Sequence, residues 1–143
     1  MDYICKIHDL ESVSKLKAVK LKVTPARLGV LDILTHAKKP LLVEEIKQHI
    51  RMKKIDLVTI YRTVRDLVEL GVINSPVLGN KRAYYETLNI KHHHHLVCTS
   101  CGCIEELENC TVKGLNIEII QKKGFKKILR HSLEYFGLCR KCG

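Results

Sequence analysis

The sequence predicts an α+β protein: an N-terminal winged helix-turn-helix, then a small mixed α/β unit with a four-cysteine zinc site. Three observations carry this reading. Apolar residues recur at helical spacing to about residue 70 and then give way to two short extended runs. The stretch Gly79-Asn80-Lys81, rich in residues that accept positive φ, joins those runs as a hairpin turn. Six of the seven cysteines fall between Cys98 and Cys142, among them two Cys-x-x-Cys pairs. A chain of 143 residues holds one domain or two small ones. The expected division is 1–86 and 87–143.

The helices follow in order. Leu10, Val13 and Leu16 mark the first. Thr24-Pro25 opens the second, with a hydroxyl N-cap and a proline where a missing N–H costs nothing. Leu28, Leu31 and Leu34 form its apolar stripe. A third helix is expected over 43–50, with Val43, Ile46 and Ile50 inward. Asp56 caps a fourth, which buries Ile60, Val64 and Leu67 and stops at Gly71. Extended runs over 72–78 and 82–86 complete the wing.

In the second half a strand is expected over 92–98, returning over 104–107 across Ser100-Cys101-Gly102. Val112, Leu115, Ile119 and Ile120 fit a helix ending at Gly124, and a last strand is expected within 125–138.

The net charge is +10, of which +6 lies in residues 1–86. This favours an anionic partner. Seven aromatic residues and no tryptophan make a poor stacking platform for single strands, so duplex DNA is the expected partner. No apolar run approaches the roughly 20 residues of a membrane span. Met1-Asp2-Tyr3-Ile4-Cys5-Lys6 lacks the pattern of a secretory signal. The expectation is a cytoplasmic protein with no membrane partner. In that reducing compartment clustered cysteines point to metal rather than disulfides.

Cys98-x-x-Cys101 and Cys139-x-x-Cys142 can each aim two sulfurs at one ion from a tight turn. Together they complete a closed tetrahedral zinc site, structural rather than catalytic. Cys103 is a neighbouring substitute thiol, whereas Cys5 and Cys110 have no partner at ligand spacing. The run His92-His93-His94-His95 sits just before the first pair. On a strand, His93 and His95 point one way and His92 and His94 the other, so the run can serve two metal sites. Glu86, Glu105, Glu106, Glu108 and His131 are the available further donors.

On the fourth helix, Thr59, Tyr61 and Arg62 fall outside the buried stripe. A tyrosine ring or threonine methyl can touch a thymine methyl in the major groove, and arginine can reach phosphate or guanine. The expected source of discrimination is the ring of Tyr61, not its hydroxyl. Lys20, Lys22 and Arg27 add positive charge at the entrance to the second helix.

These segments, taken in order, resemble the Fur family of bacterial metal-responsive repressors. The likeness runs from Leu21-Lys22-Val23-Thr24-Pro25-Ala26-Arg27 through Thr59-Ile60-Tyr61-Arg62-Thr63-Val64 and His92-His93-His94-His95-Leu96-Val97-Cys98. It closes with His131-Ser132-Leu133-Glu134 and Gly137-Leu138-Cys139-Arg140-Lys141-Cys142. The resemblance implies a C-terminal dimerisation domain and a homodimer that binds a palindromic DNA operator when loaded with metal. It implies structural zinc on Cys98, Cys101, Cys139 and Cys142, and a sensing site on Glu86, His93, His95 and Glu106. It also implies a third site on His92, His94 and His131, and DNA contacts from Lys22, Tyr61 and Arg62.

The sensed metal is expected to be ferrous iron or zinc, with manganese or nickel as alternatives. Three positions depart from the family pattern. Ala37-Lys38-Lys39-Pro40 stands where iron-type members supply a histidine, and Lys113 stands where a glutamate would complete the third site. Glu106 occupies the place where peroxide-sensing relatives carry an aspartate. The expected function is a DNA-binding repressor with no small-molecule substrate and no catalysis. A zinc-stapled thiol oxidoreductase and a metal-storage or chaperone protein are the alternatives. The second of these leaves the winged-helix half without a role.

Overall fold

The computed structural model describes residues 10–76, 78, 82–88, 93–108, 122–126 and 133–143. The chain divides into two compact units, Met1–Asn89 and Ile90–Gly143. Among the described residues, the first unit holds helices α1 (Leu10–Ala18), α2 (Pro25–His36), α3 (Val43–His49) and α4 (Leu57–Glu69). A short sheet of β1 (Ile73–Asn74) and β2 (Glu86–Thr87) follows. The second unit holds β3 (His94–Cys98), β4 (Ile104–Leu107) and β5 (Glu134–Gly137).

Local chemistry sets the helix ends. Thr24 Oγ1 accepts the Arg27 N–H at 3.3 Å, with Pro25 in the first turn. Asp56 Oδ1 accepts the Thr59 N–H at 2.7 Å and starts α4. At the other end of α4, Gly71 turns left-handed at φ 66°. The Gly71 and Val72 N–H groups then close back on Val68 and Leu67 at 3.0 and 2.8 Å. The same closure ends α1, where Lys20 takes φ 57° and the Leu21 N–H reaches the Leu16 carbonyl at 2.9 Å. A lysine in that region costs about 1 kcal/mol. The turn directs the exposed Lys22 segment toward α2.

Leu16, Val30, Ile46, Ile60, Val64 and Leu67 are fully buried and join the helices of the first unit in one core. The α1 stripe differs from expectation: Ser12 and Leu16 are buried, whereas Leu10, at the helix start, is exposed. The third helix ends one residue early, with Ile50 as its C-cap.

The wing strands are shorter than the extended runs. Among the described residues they pair as Ile73↔Thr87 and Asn74↔Glu86, and beyond them the Tyr84 N–H donates to the carbonyl of Pro76, which has no N–H to return, at 3.4 Å. Tyr85 pairs instead with Leu41, exchanging backbone hydrogen bonds of 2.9 and 2.8 Å. The Gly79-Asn80-Lys81 turn lies outside the described residues.

In the second unit β3 is central, antiparallel to β4 and parallel to β5. Of the strand expected over 125–138, the described residues form Glu134–Gly137, and 127–132 lie outside them. Over these residues it pairs with β3 from His95↔Glu134 to Cys98↔Gly137. Phe125 lies outside the strands and is exposed. The helix expected before Gly124 lies almost wholly outside the described residues. Among the described residues, no helix is long and apolar enough to cross a membrane.

Candidate metal centre and nucleic-acid interface

Parallel pairing of β3 with β5 sets Cys98 level with Gly137, so the turns that follow both strands emerge side by side. The Thr99 backbone N–H and hydroxyl both donate to the Gly137 carbonyl, at 2.8 and 3.2 Å. Gly102, at φ 72°, lets the first turn close on the Cys98 carbonyl at 2.9 Å. The second turn closes when the Cys142 and Gly143 N–H groups donate to the Cys139 carbonyl, each at 2.9 Å.

The sulfurs of Cys98, Cys101, Cys139 and Cys142 consequently lie within 4.8 Å of one another. Cys101 and Cys139, from different turns, are 3.8 Å apart. A tetrahedral ion with Zn–S bonds near 2.3 Å needs S···S edges of about 3.8 Å. Four soft donors at this spacing fit zinc and leave no open position.

The electrostatics favour thiolate at the deepest ligand. Backbone N–H groups of Cys101 and Cys139 draw the Cys98 thiol down to about 5, the latter donating to Cys98 Sγ at 3.4 Å. The Lys141 backbone N–H lowers Cys139 in the same way. Cys103 stands beside this set rather than in it. Hydrogen bonding with Cys101 and Cys139 pushes its thiol up to about 12.

The histidine run enters β3. His95 stands opposite Glu106 on β4 and Glu134 on β5, and His94 opposite Leu107. Both are buried. The His93 and His95 rings meet edge to face, with centroids 4.8 Å apart. Glu86, on β2 of the first unit, is buried, and its Oε1 accepts from Asn74 Nδ2 at 2.8 Å. His92, His131 and Lys113 lie outside the described residues, as do Cys5 and Cys110.

On α4, burial of Ile60, Val64 and Leu67 turns Val58, Tyr61, Arg62 and Arg65 outward. Val58 and Tyr61 are 55% and 45% exposed, apolar surface on the same helix as the exposed Arg62 and Arg65. Val58 and Arg65 were missing from the sequence expectation, although the 3.6-residue period places both opposite the buried stripe.

Two expected contacts have different surroundings. Thr59 is half-buried, and its hydroxyl and N–H hold the Asp56 carboxyl below the usual carboxylate range. Arg27 is turned inward: Nη1 donates to the Lys22 carbonyl at 2.7 Å, and Nη2 reaches Asp66 Oδ2 at 3.4 Å. Its guanidinium therefore orients the exposed Lys22 segment against α4 instead of presenting free charge.

Residues 18–136 match the Ferric uptake regulator family. The chain is 31% identical over 134 residues to the ferric uptake regulation protein of Neisseria meningitidis serogroup A, covering 92% of each. Its fold is similar to that of the Helicobacter pylori ferric uptake regulator Fur, described as revealing three functional metal binding sites. That match has a TM-score of 0.77 at 26% identity and covers 93% of this chain and 90% of the other. The Campylobacter jejuni peroxide stress regulator is also similar, with a TM-score of 0.68 at 27% identity over 94% and 99% of the two chains.

Proposed function

The chain belongs to the ferric uptake regulator family, and from that premise we propose that it is a dimeric, metal-dependent repressor of transcription acting in the cytoplasm. The observation that carries this reading is the joining, in one chain, of a four-thiolate cluster with a helix that exposes Val58, Tyr61, Arg62 and Arg65. Its DNA-reading groups are Lys22, Tyr61 and Arg62, with Thr59 at the start of the helix and Arg27 holding the Lys22 segment.

Cys98, Cys101, Cys139 and Cys142 hold structural zinc in this reading. When bound, the ion supplies a four-way crosslink between segments far apart in sequence. Thiolates on zinc give a local charge of about −2, which the neighbouring Arg140 and Lys141 offset. Exposed Leu96, Tyr135, Phe136 and Leu138 lie on β3, on β5 and just after it, and support association of two copies through this sheet.

The sensing ligands are Glu86, His93, His95 and Glu106. Support comes from the family pattern, the cross-strand pairing of His95 with Glu106, and the close His93 and His95 rings. His94 contributes to a third site with His92 and His131. Sensing is then a linkage: a metal held more tightly by the DNA-competent arrangement raises its population. Hard carboxylates mixed with imidazoles suit ferrous iron or zinc, and also manganese or nickel.

The test is a titration of protein that keeps its structural zinc with each of these four ions, following binding to a palindromic duplex selected by the protein from a random pool. One ion is expected to raise affinity about 5- to 150-fold at the lowest free concentration. Affinity unchanged by all four would overturn the sensing assignment.

A further inference from the structure

The Tyr61 hydroxyl donates to Glu44 Oε1 at 2.9 Å. The partners are 17 residues apart, one in the first turn of α3 and the other in the second turn of α4. The contact joins the two helices of the helix-turn-helix on their solvent side. Glu44's own backbone N–H and the Tyr61 hydroxyl keep the carboxyl below the usual range, so it is a carboxylate at neutral pH. The same carboxylate raises the phenols of Tyr61 and, after burial, Tyr85, and it feels the charge of Arg82. Glu44 thus stands among the DNA-reading helix and the chain segment leading into β2.

A carboxylate on a surface meant for phosphate is unfavourable by simple Coulomb repulsion. A residue kept solely to begin α3 would not need to reach α4, because Glu45 already bonds back to the Leu42 N–H at 2.8 Å. What the Glu44 contact does achieve is to fix a ring. An exposed tyrosine on a helix has several rotamers, and selecting one before binding removes an ordering cost that otherwise falls on recognition.

We propose that Glu44 is a positioning residue for sequence discrimination: it touches no base itself, but its carboxylate holds the Tyr61 ring in the pose that meets a thymine methyl. This rests on the assignment of Tyr61 as a DNA-reading residue. It also changes the standing of the Tyr61 hydroxyl, which faces the protein as a tether and not the duplex as a donor.

The experiment uses the full-length, metal-loaded protein and the palindrome it selects from a random duplex pool. Each thymine is replaced in turn by uracil, which removes one methyl group and nothing else. The wild type is expected to lose about fourfold in affinity at the position read by Tyr61, the worth of one buried methyl. Tyr61→Ala identifies that position by abolishing the penalty there.

Glu44→Ala and Tyr61→Phe are both expected to shrink the same penalty toward onefold while leaving the other thymines unchanged. Glu44→Gln, which keeps the acceptor, is expected to retain it. Tyr61→Phe leaves α3 intact, so the result stands even where Glu44→Ala fails to fold. A full uracil penalty in Tyr61→Phe or in folded Glu44→Ala would overturn the positioning role alone. A wild type with no position sensitive to Tyr61→Ala would instead overturn the assignment of Tyr61, and the positioning role with it.

Discussion

Replacing Cys98 or Cys139 by serine is expected to bring bound zinc to background and to abolish the dimer in the same step. The four sulfurs lie within 4.8 Å of one another but come from turns separated by most of the second unit. Among the described residues the sheet joining those turns is small: β5 pairs with β3 over four residues. A unit of that size depends on a crosslink more than on its core. Operator affinity is then expected to fall by about 100-fold or more, the avidity lost when two linked half-site contacts become one. Metal analysis, sedimentation and duplex binding on the same samples check it. A folded, zinc-free dimer in either variant would contradict the structural assignment. Cys103→Ser provides the contrast and is expected to keep full zinc, since Cys103 stands outside the four sulfurs that lie within 4.8 Å of one another.

The second large effect is expected at the histidines. His93→Ala and His95→Ala are predicted to retain structural zinc and the dimer while losing the metal-dependent gain in affinity, a factor of about 5 to 150 collapsing to near one. His94→Ala is predicted to act more weakly on that ratio. The reason is the alternation of side chains along β3, where His95 stands opposite Glu106 and His94 opposite Leu107. His94 is itself buried, so its substitution is expected to lower thermal stability. The ratio of affinities with and without metal separates the two effects. Equal loss of that ratio in all three variants would refute the division of labour.

The parts of this protein that were legible in its sequence are those set by local chemistry. Thr24-Pro25 and Asp56 each announce a helix start because the capping group lies within three residues of the N–H it satisfies. Gly71 ends α4 for an equally local reason. The pairing of Cys98-x-x-Cys101 with Cys139-x-x-Cys142 was legible too, since few arrangements other than one closed site use two such pairs. Strand lengths were not, because they depend on a partner. Tyr85, for example, pairs with Leu41, far back in the chain.

Side-chain ties across the helices were equally hidden. Arg27 reads as surface charge until its bonds to the Lys22 carbonyl and Asp66 are seen, and the Tyr61 hydroxyl reads as idle until Glu44 is found beside it.

The claim that organises all of this is that the protein reads a DNA sequence, and does so only with metal. It is tested most directly by comparing a selected palindrome with a scrambled duplex of the same composition, at physiological salt, with and without the activating ion. The account predicts that the metal-loaded dimer holds the palindrome about 1,000-fold or more tightly than the scramble. It also predicts a log–log salt slope of about −0.9 for each phosphate neutralised, and a loss of preference when the ion is withdrawn. Equal affinity for both duplexes in the presence of metal would mean that the charge of +10 merely attracts polyanions, and would contradict the repressor reading.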